Sequence, residues 1–223
     1  MTFSIIARCS ETGQFGAAIS SSSPAVASRC IRAKAGIGVA ASQNITDPQL
    51  ASILLEMTKY NISPKNAITE LTKNTDFIEY RQLTLLDAVN EPFAYSGANS
   101  LGIYTQHIGK HAVCAGNLLA NENVTHVMLK HFEQSKGTLA ERLLYALDAG
   151  KQAGGEAGAV HSAGLLVVDK LEWPIVDLRV DWSDQPISDL IALWQIYEPQ
   201  IDDYVLRALN PINARSYGVP GNE

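Results

Sequence analysis

A chain of 223 residues with 46% hydrophobic residues is long enough to bury one large core. Its formal net charge of −6, without any run of Lys or Arg, argues against nucleic acid and acidic membranes as partners. Charged residues make up only 18%, a deficit that points to extensive buried surface or to an interface between copies, expected here as a homodimer. No apolar run approaches the roughly 18 residues of a membrane span, and the N-terminus carries no apolar signal segment. A soluble, cytoplasmic protein is therefore expected. Cys9, Cys30 and Cys114 are odd in number and lack C-x-x-C spacing, which fits reduced, mostly buried thiols.

Residues 2–9 and 14–22 read as a hairpin, and Gly36 to Gln43 as a third strand. Asp47-Pro48 is a helix start, with proline at the first helical position and Leu50, Ile53, Leu54 and Met57 at helical spacing behind it. Ser63-Pro64 repeats the signal ahead of Ala67, Ile68 and Leu71. Four short strands follow at about 79–87, 92–97, 103–109 and 111–117. A helix over 122–135 places Val124, Val127, Met128, His131 and Phe132 on one face, and Thr138-x-x-Glu141 is a capping box opening another. Two more strands, at 160–169 and about 174–181, precede a helix from near Pro186 that bends or restarts at Pro199. One domain over 1–209 and a loosely ordered tail over 210–223 are expected.

Tight hairpins argue for antiparallel pairing. The strand Val160 to Val168 is apolar at consecutive positions, as if covered on both faces. Together with helices in pairs, this predicts an α+β fold: a four-layer αββα sandwich of two stacked, mainly antiparallel sheets.

The opening residues carry a chemical option. If Met1 is removed, Thr2 presents a free α-amine, with a pKa of about 8, beside its own hydroxyl. The amine could take the hydroxyl proton and make that oxygen a nucleophile. The β-branch restricts χ1 and so the directions the oxygen can take. The alternative is an ordinary β-strand threonine in a Met-Thr start.

Several segments carry a resemblance: Thr2 to Ala7, Gly16 to Ser20, Ala33 to Gly38, Ala41 to Asn44, Arg81-Gln82 and Ser96 to Ala98. Ala115 to Ala120, Leu139 to Leu144, Gly154-Gly155 and Ser162-Ala163 complete it. In order and spacing, over about residues 2–181, they resemble an N-terminal nucleophile (Ntn)-hydrolase-like bacterial family, the domain of unknown function numbered ten twenty-eight. Proteasome β-subunits are similar in opening with threonine on a strand. The resemblance implies an Ntn-type fold and an amidohydrolase activity on a small amide or peptide-like bond, with Thr2 as nucleophile. It names no substrate. Two positions depart from the family pattern: Lys34 stands where arginine is expected, and Glu156 is followed by Ala157 to Val160 rather than by basic residues.

An amidohydrolase needs donors where the oxyanion develops. Asn117 and Asn44, with Gln43 and Gly116 beside them, lie at strand ends and are the candidates; helix capping is the other account of both asparagines. Lys34 or Arg32 could lower the nucleophile's pKa or hold a substrate carboxylate, or be salt-bridged surface residues. Ser20 and Ser21, in the run Ser20 to Ser23 that ends the second strand, could line the pocket or form a polar turn. His107 and His111 flank a tight turn at a metal-compatible spacing without a third ligand nearby, so no metal is expected. The stretch Gly154 to Gly158 lacks the lysine of a phosphate loop, and no cofactor is expected. A small-molecule substrate is the expected partner. The competing reading is a catalytically silent Ntn fold that binds a small ligand or serves as a subunit of an assembly.

Overall fold

The structure is a computed structural model and describes residues 2–216. Among the described residues, ten strands form two sheets. β1 (Thr2–Arg8) and β2 (Phe15–Ser21) are the centre of the first, with β8 (Ala112–Leu119) and β7 (Ile103–Ile108) on one side. β9 (Ser162–Val168) and β10 (Val176–Val180) complete it on the other, in the order β10-β9-β2-β1-β8-β7. The second sheet orders β3 (Ile31–Lys34), β4 (Gly38–Asn44), β5 (Arg81–Asp87) and β6 (Phe93–Ser96) in sequence. Every strand pairing is antiparallel.

Three separate cores make the layers. One packs Phe3, Ile5, Leu165 and Val167 of the first sheet against α4 (Val124–Gln134), α5 (Leu139–Gln152) and α6 (Pro186–Tyr197). A second joins the sheets through Ile6, Ala17, Ile19, Val39, Leu86 and Val113. The third packs Ala40, Leu83 and Leu85 of the second sheet against α2 (Pro48–Lys59) and α3 (Pro64–Lys73). The result is the expected αββα sandwich. Its cause is visible in β1: alternate side chains point to opposite faces, so Phe3, Ile5 and Ala7 face helices while Ile6 faces the other sheet. β9 is apolar on both faces for the same reason, with Leu165 and Val167 outward and Leu166 and Val168 inward.

The helix starts follow from local chemistry. Asp47 accepts from Gln49 N at 3.0 Å, and Ser63 from Asn66 N at 3.4 Å, each with proline in the first turn. The capping box is formed, Glu141 N donating to Thr138 Oγ1 at 3.3 Å and Thr138 N to Glu141 Oε2 at 2.8 Å.

Some readings are corrected or completed. The strand read over Gly36 to Gln43 is β4, but it is preceded by β3 and by a five-residue helix, α1 (Val26–Cys30), neither of which was read. Such a helix is too short for a periodic signal, though it buries Val26, Ala27 and Cys30. On α4 the buried face is Val124, Thr125, Met128, Leu129 and Phe132, and His131 is exposed. Trp194 of α6 is 2% exposed within the outer core, so it is not available to an interface between copies. The last helix does restart at Pro199: a 3-10 turn, Glu198–Gln200, leads into α7 (Ile201–Leu209). Of the tail read over 210–223, Pro211–Asn213 is a 3-10 turn and residues 217–223 lie outside the described residues. No helix among the described residues is long and apolar enough to cross a membrane.

Candidate active site

The inter-sheet layer is apolar at one end and polar at the other. Thr2, Ser4 and Ile6 share the inward face of β1, so the layer begins with two hydroxyls and turns apolar at the third position. Thr2 is 4% exposed and pairs across strands with Asn117 of β8. Its Oγ1 donates to Ser21 Oγ at 3.4 Å, and Ser21 Oγ lies 2.9 Å from Ser23 Oγ. Arg29 of α1 then donates to Ser23 Oγ at 2.8 Å and to Pro24 O at 2.9 Å. A hydroxyl chain thus runs from Thr2 to a guanidinium.

Beneath Thr2 a second chain crosses between the sheets. Ser4 Oγ donates to Gln43 Oε1 at 2.7 Å, and Gln43 Nε2 to Gln82 Oε1 at 2.7 Å. Gln82 Nε2 donates to Gly116 O at 3.1 Å and Ser96 Oγ at 2.9 Å. A backbone carbonyl only accepts, so Gly116 O fixes which way the Gln82 amide points. Its Oε1 must then receive both Gln43 Nε2 and Asn117 Nδ2, the latter at 3.3 Å. Asn117 is fully buried, and its Oδ1 has no hydrogen-bond partner among the described residues. The amide beside Thr2 therefore has its nitrogen turned to Gln82 and its acceptor uncommitted.

Glu156 is buried at the same end, 5% exposed. Its two carboxylate oxygens accept from Ser22 N at 3.1 and 3.2 Å. Burial pushes the carboxyl up to about 7, against the opposing pull of the N-terminal charge and then of the Ser22 hydrogen bonds. His161, just before β9, donates its N–H to Ser21 O at 2.8 Å, and its ring stacks on the indole of Trp182 with centroids 4.4 Å apart. Trp182 is 61% exposed, so this ring pair lies at the surface side of the polar end.

The sequence-derived candidates divide. Thr2, Ser21, Asn117, Gly116 and Gln43 come together at the polar end. Ser20 does not face the inter-sheet layer: it pairs with Phe3, alternates with Ser21 to the opposite face of β2, and donates to Ser162 O at 2.9 Å. Asn44 adopts φ 73° and holds loops together, donating to Tyr80 O at 2.6 Å and accepting from Leu101 N at 3.2 Å. Arg32 and Lys34 alternate with Ile31 and Ala33, which face the inter-sheet core, and so lie on the other face of β3. Lys34 pairs there with Glu56 of α2 at 3.0 Å, opposite Gly38 at the end of β4 remote from Gln43. Arg32 donates to the carbonyl of its own neighbour Ile31 at 2.7 Å.

The histidines have separate partners. His107 Nδ1 meets Thr125 Oγ1 at 2.8 Å, and His111 Nδ1 accepts from Arg8 Nε at 3.1 Å. Burial, then Arg8, pulls the His111 pKa down, which favours the neutral ring. Among the described residues no three His, Cys, Asp or Glu side chains are grouped to hold a metal.

Ser4, Gln82, Arg29 and Glu156 are the site residues that sequence reasoning missed, while Ser23 belonged to the serine run read as pocket or turn. Period-two alternation from Thr2 was a signal for Ser4, and the position after Gly155 was one for Glu156. Gln82 stood in the Arg81-Gln82 segment of the resemblance without a role, and nothing local marked Arg29; they reach the site through strand order and a short helix.

Comparison with known proteins places this geometry in a family. The model of the family of unknown function DUF1028 matches residues 2–190. The crystal structure of protein SPO2555 from Silicibacter pomeroyi, itself described by that family model, is similar at a TM-score of 0.84 and 29% identity, over 91% of this chain and 89% of that one. An Anbu (Gly-1) mutant from Hyphomicrobium sp. strain MC1 aligns at a TM-score of 0.47 and 11% identity, over 92% of this chain and 99% of that one. The Anbu ancestral β-subunit from Yersinia bercovieri aligns at 0.43 and 11%, over 99% of each chain. Likenesses that loose carry nothing over. No curated protein matches the chain. By the family match and the SPO2555 fold together, the chain belongs to DUF1028, a family of unknown function.

Proposed function

We propose that the chain is an amidohydrolase of the N-terminal nucleophile type, with Thr2 as nucleophile once Met1 is removed. The observation that carries this reading is the position of Thr2: the first described residue of the central strand, buried at the polar end of the inter-sheet layer. In the proposed step the free α-amine takes the proton of Thr2 Oγ1 as that oxygen attacks the carbonyl of a small amide or peptide-like bond. The C–N bond breaks, the proton passes to the leaving amine, and water then hydrolyses the ester on Thr2. The order of elements, strands then a helix pair twice over, resembles that of Ntn hydrolases and supports the assignment. Met1 itself lies outside the described residues. The same reading takes the protein as a cytoplasmic, single-domain homodimer acting on a small molecule.

Intact mass and labelling with an electrophilic probe for N-terminal nucleophiles test it. The expected results are loss of one methionine, one probe on Thr2, no labelling of Thr2→Ala at unchanged stability, and partial labelling of Thr2→Ser. Equal labelling of Thr2→Ala overturns the assignment. A second reading, a silent fold that binds a ligand or joins an assembly, is favoured by the closure of the site, since Thr2 Oγ1 is already engaged by Ser21. Retention of Met1 selects it.

A further inference from the structure

Glu156 occupies a position that no step above uses. Gly154 and Gly155, at φ 125° and 60°, end α5 and turn the chain back toward the first sheet. Glu156 then forms an isolated antiparallel bridge with Leu119 at the end of β8, flanked by Ala157 N donating to Leu118 O at 2.9 Å and Ala120 N to Gly155 O at 3.0 Å. Its side chain reaches the other way, to the backbone N–H of Ser22 just past β2. β8 and β2 are the two neighbours of β1. A residue bridged by its backbone to one and by its carboxylate to the other spans the beginning of β1, where Thr2 stands. Gly155 packs close by: a Cβ on it would lie 3.5 Å from the Phe3 ring.

The carboxylate is poorly provided for. It has about four lone-pair sites, and among the described residues only Ser22 supplies it with hydrogen bonds. The titratable side chains on the surrounding elements are engaged elsewhere. Arg29 of α1 holds Ser23 and Pro24 O, and His161, just before β9, meets Ser183 O and lies 3.5 Å from Asp184. Lys151, in the last turn of α5, forms no ion pair with it, and the end of β8 presents Leu118 and Leu119. A buried carboxylate in that condition calls for a cation.

We propose that Glu156 is a positioning residue for the α-amine of Thr2, pairing with it at the head of β1 and strengthening its hold on a proton. This rests on the reading of Thr2 as a free N-terminus. It gives the amine the one thing that reading lacked, a group that fixes its direction relative to Oγ1. The carboxylate raises the amine's basicity, so it acts as a stronger base than a free N-terminal amine of pKa about 8.

The test follows the Thr2 Cα resonance against pH in protein labelled with 13C-threonine, assigned by its loss in Thr2→Ser, after intact mass has established the N-terminus. The expected result is an amine midpoint lower by about one unit in Glu156→Gln, a tenfold loss of proton affinity, with Glu156→Asp in between. A purely structural role leaves the midpoint where it is. If Met1 is gone and the midpoint is the same in wild type and Glu156→Gln, the role of Glu156 is overturned while Thr2 stands as nucleophile. If Met1 is retained, the Thr2 reading itself falls and takes this role with it. Should Glu156→Gln fail to fold, Glu156→Asp decides: its carboxylate is drawn back by one methylene, and an unshifted midpoint refutes the pairing.

Discussion

Glu156 carries a stability cost that Ser22 does not remove. The folded chain holds its proton up to about pH 7, while the ordinary carboxyl value is 4.5. Between those values the folded state binds more protons than the unfolded one, so stability falls as pH rises through the window. Glu156→Gln keeps an acceptor for Ser22 N and has no charge to bury. The variant is expected to be more stable than wild type above about pH 7, on the order of 2–3 kcal/mol, with the gap closing toward about pH 4.5. Denaturant titrations at both ends of that window read the difference, and equal gaps at the two ends contradict it. A buried ionisable group that costs stability and lies beside a candidate nucleophile is the pattern of a functional site. The inter-sheet amides behave differently. Ser4, Gln43 and Gln82 satisfy one another, so they orient Asn117 without leaving a charge in the interior.

Among the elements, α5 shows how local chemistry and packing combine. Thr138 and Glu141 satisfy reciprocal N–H groups at its start, and Leu139, Leu143, Ala146 and Leu147 bury one face against β1 and β2. Replacing Thr138 by alanine is expected to cost about 1 kcal/mol while leaving the Thr2 site intact, because the cap lies at the far end of the helix from Gly154. Thermal unfolding with probe labelling as the second readout checks both halves. Wild-type stability with lost labelling would mean the cap serves the chemistry. The element readings that failed share a cause. α1 has five residues, and β3 has four, so neither is long enough for periodicity to separate from a turn.

For the whole molecule, the late helices raise the question of assembly. Trp194 is spent on the core of its own chain, and Tyr197 donates to Ile175 O at 3.0 Å. α7 buries no residue, however, and Ile196, Tyr204, Leu209 and Ile212 are exposed around it, the last at 93%. With the low charged fraction, this keeps a homodimer as the expected state. Sedimentation at micromolar concentration should give twice the chain mass; a single 24.1 kDa species counts against it.

Strand existence, helix starts and the doubly covered β9 were legible in the sequence because each rests on local causes: alternation, caps and prolines. Those causes are felt within a few residues, and they implied stacked sheets between helix layers. Thr2 was singled out the same way, by the chemistry of one residue and its place in the chain. What surrounds Thr2 was decided only by tertiary structure. Strand order made β2 and β8 the neighbours of β1, bringing Ser21 and Asn117 to it from 19 and 115 positions away. Sheet stacking set Gln43 and Gln82 against Ser4, and a turn after α5 laid Glu156 across the strand's beginning. The same alternation that put Thr2 inside carried Lys34 and Ser20 out, and it could be applied only once the strands to which they belong, and the faces those strands bury, were known.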